Sequence, residues 1–136
     1  MKELRVLFPG GKQVDVQVDG FLIKTDQSPS SGGAGLFPEP FDYFLASLAT
    51  CAGLYALNFC DRRGISSIGM RLSLRCQWNQ EKRLYDRMEF VLSLPREFPN
   101  KYRGAIVKAM QLCTVKRHME RYSEIDMSFD VVSSDA

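Results

Sequence analysis

Histidine, paired cysteines and excess charge are all scarce in this sequence of 136 residues. It has one histidine, His118, and four cysteines, none of which form a Cys-x-x-Cys pair. A zinc site of the usual Cys/His kind therefore lacks ligands, although four cysteines alone are arithmetically sufficient. The net charge is only +2 at pH 7. Nucleic acid and anionic membranes are not expected as partners, because both require clustered excess charge.

Several familiar catalytic motifs are also missing. The sequence contains no GxSxG, no HExxH and no GxxxxGK[ST], which are the signatures of a serine hydrolase, a zinc protease and a P-loop. His118 lies among charged residues, five residues after Cys113, which favours a solvated helix face over a catalytic base. The segment MKELRVLFPGG interleaves charged and apolar residues, so no signal-peptide core is recognised. The cytoplasm, where thiols start reduced, is the expected compartment.

What is present predicts one α+β domain over residues 1–136. Alternating apolar residues predict antiparallel N-terminal strands in ELRVLF, KQVDVQVDG and FLIKT. The same alternation predicts a long hairpin formed by IGMRLSLRCQW and LYDRMEFVLSL, and a closing strand in EIDMSFDVV. Helical spacing predicts a helix over KYRGAIVKAMQL, capped by Asn100, and a second piece over TVKRHMERY. Cys113 lies at the junction between these two pieces.

The longest apolar segment runs from Tyr43 to Cys60, eighteen residues without a charge. That length would admit a membrane span, but the interspersed polar residues and the strand-rich remainder favour a core helix. Pro40 and Asp42 suit its first turn, and Gly64 suits its end. A helix that is apolar on all sides is difficult to bury in one chain of this size. We therefore expect a second subunit to cover part of it.

Residues 26–40, DQSPSSGGAGLFPEP, predict an unusually long loop for a small domain. Loops of this length are often binding loops or lids. A floppy connector is an equally good interpretation, and the sequence does not separate the two.

The four cysteines fall into two groups. Cys60 and Cys76 are interpreted as small buried hydrophobes, since Cys60 faces the side of the helix opposite Cys51 and Cys76 lies on the apolar face of a strand. Cys51 stands among small residues, and Cys113 stands where a helix begins, a position that stabilises a thiolate. A two-cysteine redox cycle requires such a pair.

The segment PFDYFLASLATCAG resembles the central-helix motif of the OsmC/Ohr family, and LCTVKRHMER resembles its second cysteine motif. The first match places Pro40, Asp42 and Cys51 in register, and the second makes Cys113 the second cysteine. Thr114 stands where the family motif has proline. The order of strands, loop and helices is also similar, and the closer likeness is to the generic OsmC-like branch.

The resemblance implies an OsmC-like fold, with antiparallel sheets around a long buried helix in an intertwined homodimer. It also implies a thiol-dependent peroxidase of the oxidative stress response that needs no cofactor or metal. Cys51 would attack an organic hydroperoxide, Cys113 would close a disulfide, and an external dithiol, such as a lipoyl protein, would reduce it. Asp42 is the candidate acidic site residue. Candidates for an activating arginine are Arg5, Arg71 and Arg117.

Two other functions remain open on the sequence. The fold could serve without catalysis as a small-molecule binder or a redox-sensing protein, since an apolar interface pocket could hold a ligand. Cysteine acyl transfer would need a base near Cys51, and Asp42 is the one candidate that the sequence offers. A first-turn carboxylate is equally well explained as a helix-capping group.

Overall fold

The computed structural model describes residues 1–133 and has the expected α+β fold, with antiparallel sheets and one long helix. The chain divides into two compact units, Met1–Leu48 and Ala49–Ala136. The described strands and α-helices, in chain order, are β1 (Arg5–Gly10), β2 (Gln13–Val18), β3 (Phe21–Thr25), α1 (Pro40–Arg62), β4 (Arg71–Asn79), β5 (Leu84–Ser93), α2 (Arg103–Met110) and α3 (Thr114–Glu120).

The first sheet is the antiparallel meander β1-β2-β3, as the alternation predicts. Asp19 and Gly20 both have positive φ, 50° and 82°, and form the tight turn between β2 and β3. Asp15 on β2 is nearly buried and is paired across the strands with Lys24, at 3.0 Å between Oδ2 and Nζ. The pairing partly compensates the carboxylate for its loss of water.

The long loop after β3 is organised around the carboxylate of Asp26, which is 1% exposed. It accepts the backbone N–H groups of Gln27 at 2.7 Å and Leu36 at 3.1 Å. Hydrogen bonds from backbone N–H groups hold the pKa of Asp26 below its ordinary value, despite the opposing effect of burial. Gly33 lies so close to the backbone of Gln27 that an added Cβ would be 2.0 Å from the Gln27 carbonyl oxygen. The loop is therefore a defined structure rather than a floppy connector.

Helix α1 has Pro40 and Asp42 in its first turn and a glycine after its end, as the sequence predicts. The Glu39 N–H donates to Asp42 Oδ2 at 3.0 Å, and Pro40 occupies the first helical position. After the helix, Gly64 has φ +63°, and the Ile65 N–H returns to the Cys60 carbonyl. Within the described residues α1 is the one helix long and apolar enough to cross a bilayer, a test that core helices of soluble proteins also pass.

The hairpin β4–β5 has the predicted register. Leu72 faces Leu92 and Cys76 faces Met88, so both pairs lie on one side of the hairpin. A bulge between Gln77 and Trp78 ends this regularity and leaves Trp78 48% exposed, in edge contact with the Tyr85 ring.

Two local predictions are wrong. Residues 125–133 form no strand, and their alternating apolar side chains are exposed, because an isolated segment lacks a neighbouring strand to receive its backbone hydrogen bonds. Asn100 does not cap an α-helix. It begins the 3-10 turn Asn100–Tyr102 and α2 starts at Arg103, since Pro99 sets the extended backbone before that turn.

Candidate active site

A pocket of about 640 Å³ lies between the second half of α1 and the segment from α2 to the start of α3. Its α1 wall follows one face of the helix, with residues spaced by three or four positions: Cys51, Leu54, Tyr55, Asn58, Phe59, Arg62 and Arg63. The facing wall consists of Ala105, Lys108, Ala109, Leu112 and Thr114. The pocket is thus apolar through most of its length, with polar and cationic groups at defined places.

The structure brings Cys51 and Cys113 together beside this pocket. Cys51 is half-buried and lines the pocket, whereas Cys113 is completely buried, and both are free thiols. The two thiols are near enough for Cys51 to influence the ionisation of Cys113. Cys113 occupies the N-cap position of α3, with extended backbone (φ −60°, ψ 145°). Because α2 ends at Met110, Cys113 lies at the start of a new helix, and its thiol is brought near that of Cys51.

Burial raises the pKa of Cys113, and the hydrogen bond and charge of the neighbouring Cys51 raise it further. The backbone N–H and the ammonium charge of Lys116, in the first turn of α3, act in the opposite direction and lower the pKa. The net effect is a raised pKa, which favours the protonated thiol of Cys113. Two neighbouring thiols, one half-buried and one buried, are the arrangement that a disulfide between them requires.

The pocket also contains three cationic side chains. Arg63 is held by its own helix, since it donates to the Phe59 carbonyl oxygen at 3.2 Å and its guanidinium lies 3.6 Å from the centre of the Phe59 ring. Arg62 and Lys108 have no ion-pair partner among the described residues and line the same pocket. The cations give this part of the pocket a positive potential.

A hydroxyl pair connects the two walls of the pocket. Tyr55 Oη and Thr114 Oγ1 lie 3.0 Å apart, and Arg117 Nη2 donates to the same Thr114 oxygen at 3.4 Å. Tyr55 is one helical turn after Cys51, and Thr114 directly follows Cys113. The pair therefore links the helices that carry the two thiols.

The other candidate residues lie elsewhere. Asp42 is in the first compact unit, where its carboxylate accepts the Glu39 N–H. Cys60 is buried, and burial raises its pKa, with the charge of Asp61 acting in the same direction. His118 is on an exposed face of α3, with Nδ1 2.7 Å from the Thr114 carbonyl oxygen. Within the described chain, no group of three or more His, Cys, Asp or Glu residues is placed to hold a metal ion.

Sequence analysis named Arg117, which the structure places beside Thr114, but it missed Tyr55, Arg62 and Lys108 as pocket residues. The sequence contained a usable signal for Tyr55 and Arg62. They follow Cys51 by four and eleven residues, and both spacings return to the same helix face at about 3.6 residues per turn. No comparable signal identifies Lys108, because it depends on how α2 packs against α1.

The structure is an α+β fold in which one thiol on the long helix and a second at the start of α3 lie beside the same pocket. The family model for OsmC-like proteins matches residues 32–128, and the chain belongs to this family. Among proteins of curated function, no sequence matches significantly.

Solved structures agree with this fold. A protein of Psychrobacter arcticus 273-4, described as osmotic stress induced and of the detoxification response, matches with a TM-score of 0.74 and 18% identity, over 86% of this chain and 87% of its own. An OsmC-like protein from Mycoplasma pneumoniae matches at 0.63 and 14%, over 97% and 96%. The organic hydroperoxide resistance protein OsmC from Legionella pneumophila matches at 0.56 and 16%, over 88% of both chains.

The thiol environments predict an order of reactivity toward iodoacetamide. Alkylation requires the thiolate, and Cys113 and Cys60 are both buried with raised pKa values. At pH 8 we expect the two half-buried thiols, Cys51 and Cys76, to be modified first. Cys113 and Cys60 should react at least about tenfold more slowly and respond only above the ordinary thiol range near pH 8.5. Peptide mass spectrometry against time measures this.

Protein unfolded in urea is the control, because all four cysteines should then react at similar rates. Modification of Cys113 as fast as Cys51 in the folded protein would contradict the burial described here.

Proposed function

We propose that this protein is a thiol-dependent peroxidase that reduces organic hydroperoxides through Cys51 and Cys113. The observation that carries the proposal is the proximity of a half-buried and a buried thiol beside a largely apolar pocket. Membership of the OsmC-like family and the fold shared with the Legionella pneumophila organic hydroperoxide resistance protein support a redox or stress-response function.

The chemistry has three balanced steps. The Cys51 thiolate attacks the terminal oxygen of the hydroperoxide, forming an S–O bond while the O–O bond breaks and the alcohol leaves with a proton. Cys113 then attacks the sulfur of the sulfenic acid, forming the disulfide and releasing water. An external dithiol, which the family resemblance suggests is a protein-bound lipoyl group, exchanges with the disulfide and restores both thiols.

The positions of the two thiols support different roles. Cys51 lines the pocket and is the sulfur that a hydroperoxide there can reach. Cys113 is completely buried, so it meets a small oxidised group on its neighbour more readily than an external substrate. Cys51 is therefore the attacking cysteine in this proposal and Cys113 the resolving one.

Disulfide mapping tests this cycle. One equivalent of cumene hydroperoxide should convert the two thiols to a Cys51–Cys113 disulfide and leave Cys60 and Cys76 free, as read by peptide mass spectrometry. Cys51→Ser should abolish turnover with a dithiol, because the attacking sulfur is gone, and Cys113→Ser should leave a sulfenic acid that dimedone traps.

Cys76→Ser is the matched control, since Cys76 lies on the β4–β5 hairpin and should leave turnover unchanged. Four unreacted thiols after peroxide would sink the peroxidase proposal. That result would favour the ligand-binding alternative, for which the pocket beside Cys51 is the place to find a retained small molecule by native mass spectrometry.

Asp42 belongs to the proposed site residues, and the contact seen for it is structural. Its carboxylate accepts the Glu39 N–H at the start of α1. An asparagine can accept the same hydrogen bond without a charge, so we expect Asp42→Asn to keep peroxidase activity. Asp42→Ala should lower the free energy of unfolding by about 0.5–2 kcal/mol, the usual cost of losing a cap. Urea unfolding and peroxide turnover measure the two effects.

Loss of turnover in Asp42→Asn with unchanged stability would show instead that the charge itself serves the reaction. That outcome would also reopen acyl transfer, the one alternative that needs Asp42 as a base.

A homodimer is the second part of the proposal, and exposed apolar surface supports it. Leu57 on α1 is 37% exposed, and Phe129 and Val131 of the C-terminal segment are more than 90% exposed. A second copy would cover these side chains and supply the strand that residues 125–133 lack. The proposed compartment is the cytoplasm, where the thiols would be reduced between cycles.

Light scattering should therefore give a mass of twice the 15.5 kDa of one chain. Leu57→Lys should shift the protein toward the monomer, because a charge on this face loses water at the interface. A monomeric wild-type protein at micromolar concentration would contradict the dimer.

A further inference from the structure

We propose that Tyr55 is the proton donor to the leaving oxygen of the hydroperoxide. This inference rests on the proposed peroxidase function and assigns a further residue to it. Tyr55 lines the pocket with Cys51, four residues along the same helix, so the Cβ atoms of the two residues lie about 5–6 Å apart. A hydroperoxide whose terminal oxygen meets the Cys51 sulfur can thus direct its second oxygen toward the phenol.

The hydrogen bonds around Thr114 orient this phenol. Arg117 donates to Thr114 Oγ1 at 3.4 Å, and the threonine oxygen lies 3.0 Å from Tyr55 Oη. A cationic donor polarises the threonine hydroxyl and makes it a better donor in turn. Either hydroxyl can donate across this 3.0 Å pair; in the proposed arrangement Thr114 donates, which leaves the Tyr55 O–H for a substrate oxygen in the pocket.

This arrangement depends on the Thr114 hydroxyl, because it is the group that both Arg117 and Tyr55 contact. Proline, the residue of the family motif at this position, has no side-chain hydroxyl and could not form these hydrogen bonds.

The proton balance of the first step requires a donor. When the Cys51 sulfur gives an electron pair to the terminal oxygen, the O–O bond breaks and an alkoxide forms. That alkoxide takes the proton of the Tyr55 hydroxyl and leaves as the alcohol. The phenolate recovers the proton from solvent, which received it when Cys51 ionised. Tyrosine is one of the side chains that serve as general acids in enzymes.

Single-turnover oxidation of Cys51 by two oxidants tests the assignment in the full-length protein. Tyr55→Phe should slow oxidation by cumene hydroperoxide about 100-fold, at the lower end of general-acid effects. Oxidation by peracetic acid should be unchanged, because its leaving group is a carboxylate that needs no proton. Quenched-flow mixing followed by intact-mass measurement gives both rates.

Three further variants sharpen the test. Tyr122→Phe makes the same chemical change at an exposed position outside the pocket, and both rates should match wild type. Thr114→Val should slow the cumene hydroperoxide reaction selectively, and Thr114→Ser should restore it by returning the hydroxyl.

The outcomes are separable. If wild-type Cys51 reacts with neither oxidant, the peroxidase function itself is overturned. If wild type is active and Tyr55→Phe reacts as fast with cumene hydroperoxide, or slows equally with both oxidants, then Tyr55 is not the donor and its bond to Thr114 is only structural.

Discussion

The contact between the second half of α1 and the segment 105–114 is the constraint on which the site depends. Ala56 and Ile106 are completely buried in this unit, and Ala52 is 2% exposed. The Tyr55–Thr114 hydroxyl pair joins the two segments close to Cys51 and Cys113. The proximity of the two thiols thus depends on packing by residues other than the cysteines.

The same contact explains why the two cysteines are not equivalent. Their side chains differ little in chemistry, but one lies at the edge of the pocket and the other behind it. Burial raises the pKa of Cys113, whereas Cys51 is half-buried and lines the pocket. This asymmetry is the basis for the different roles that the proposed cycle gives to the two sulfurs.

Local patterns in the sequence predicted most of the fold. The proline and aspartate in the first turn of α1, the glycine after the helix and the alternation in β4 and β5 each act through neighbours in the chain, and each was confirmed. The motif around Cys51 and the one around Cys113 identified the thiols that the structure brings together. That part of the prediction rested on a family resemblance, since spacing alone does not specify which cysteines meet.

The sequence could not predict features that need a second element. Lys108 enters the pocket because of how α2 packs, and Thr114 matters because Tyr55 is across from it. Residues 125–133 have the alternation of a strand, yet a strand also requires an edge to pair with, which no pattern within the segment supplies. Asn100 has the side chain of a cap, but Pro99 determines the backbone at that point.

The hydrogen bonds of Asp26 determine which positions of its loop tolerate substitution. A ring of backbone N–H groups is a ready-made anion site, and here the chain fills it with its own carboxylate, as a built-in ligand. The path of the loop is then specified by one acidic side chain and by Gly33, where no side chain fits. The serines at its tip are exposed, so they are free to vary while the loop keeps its shape.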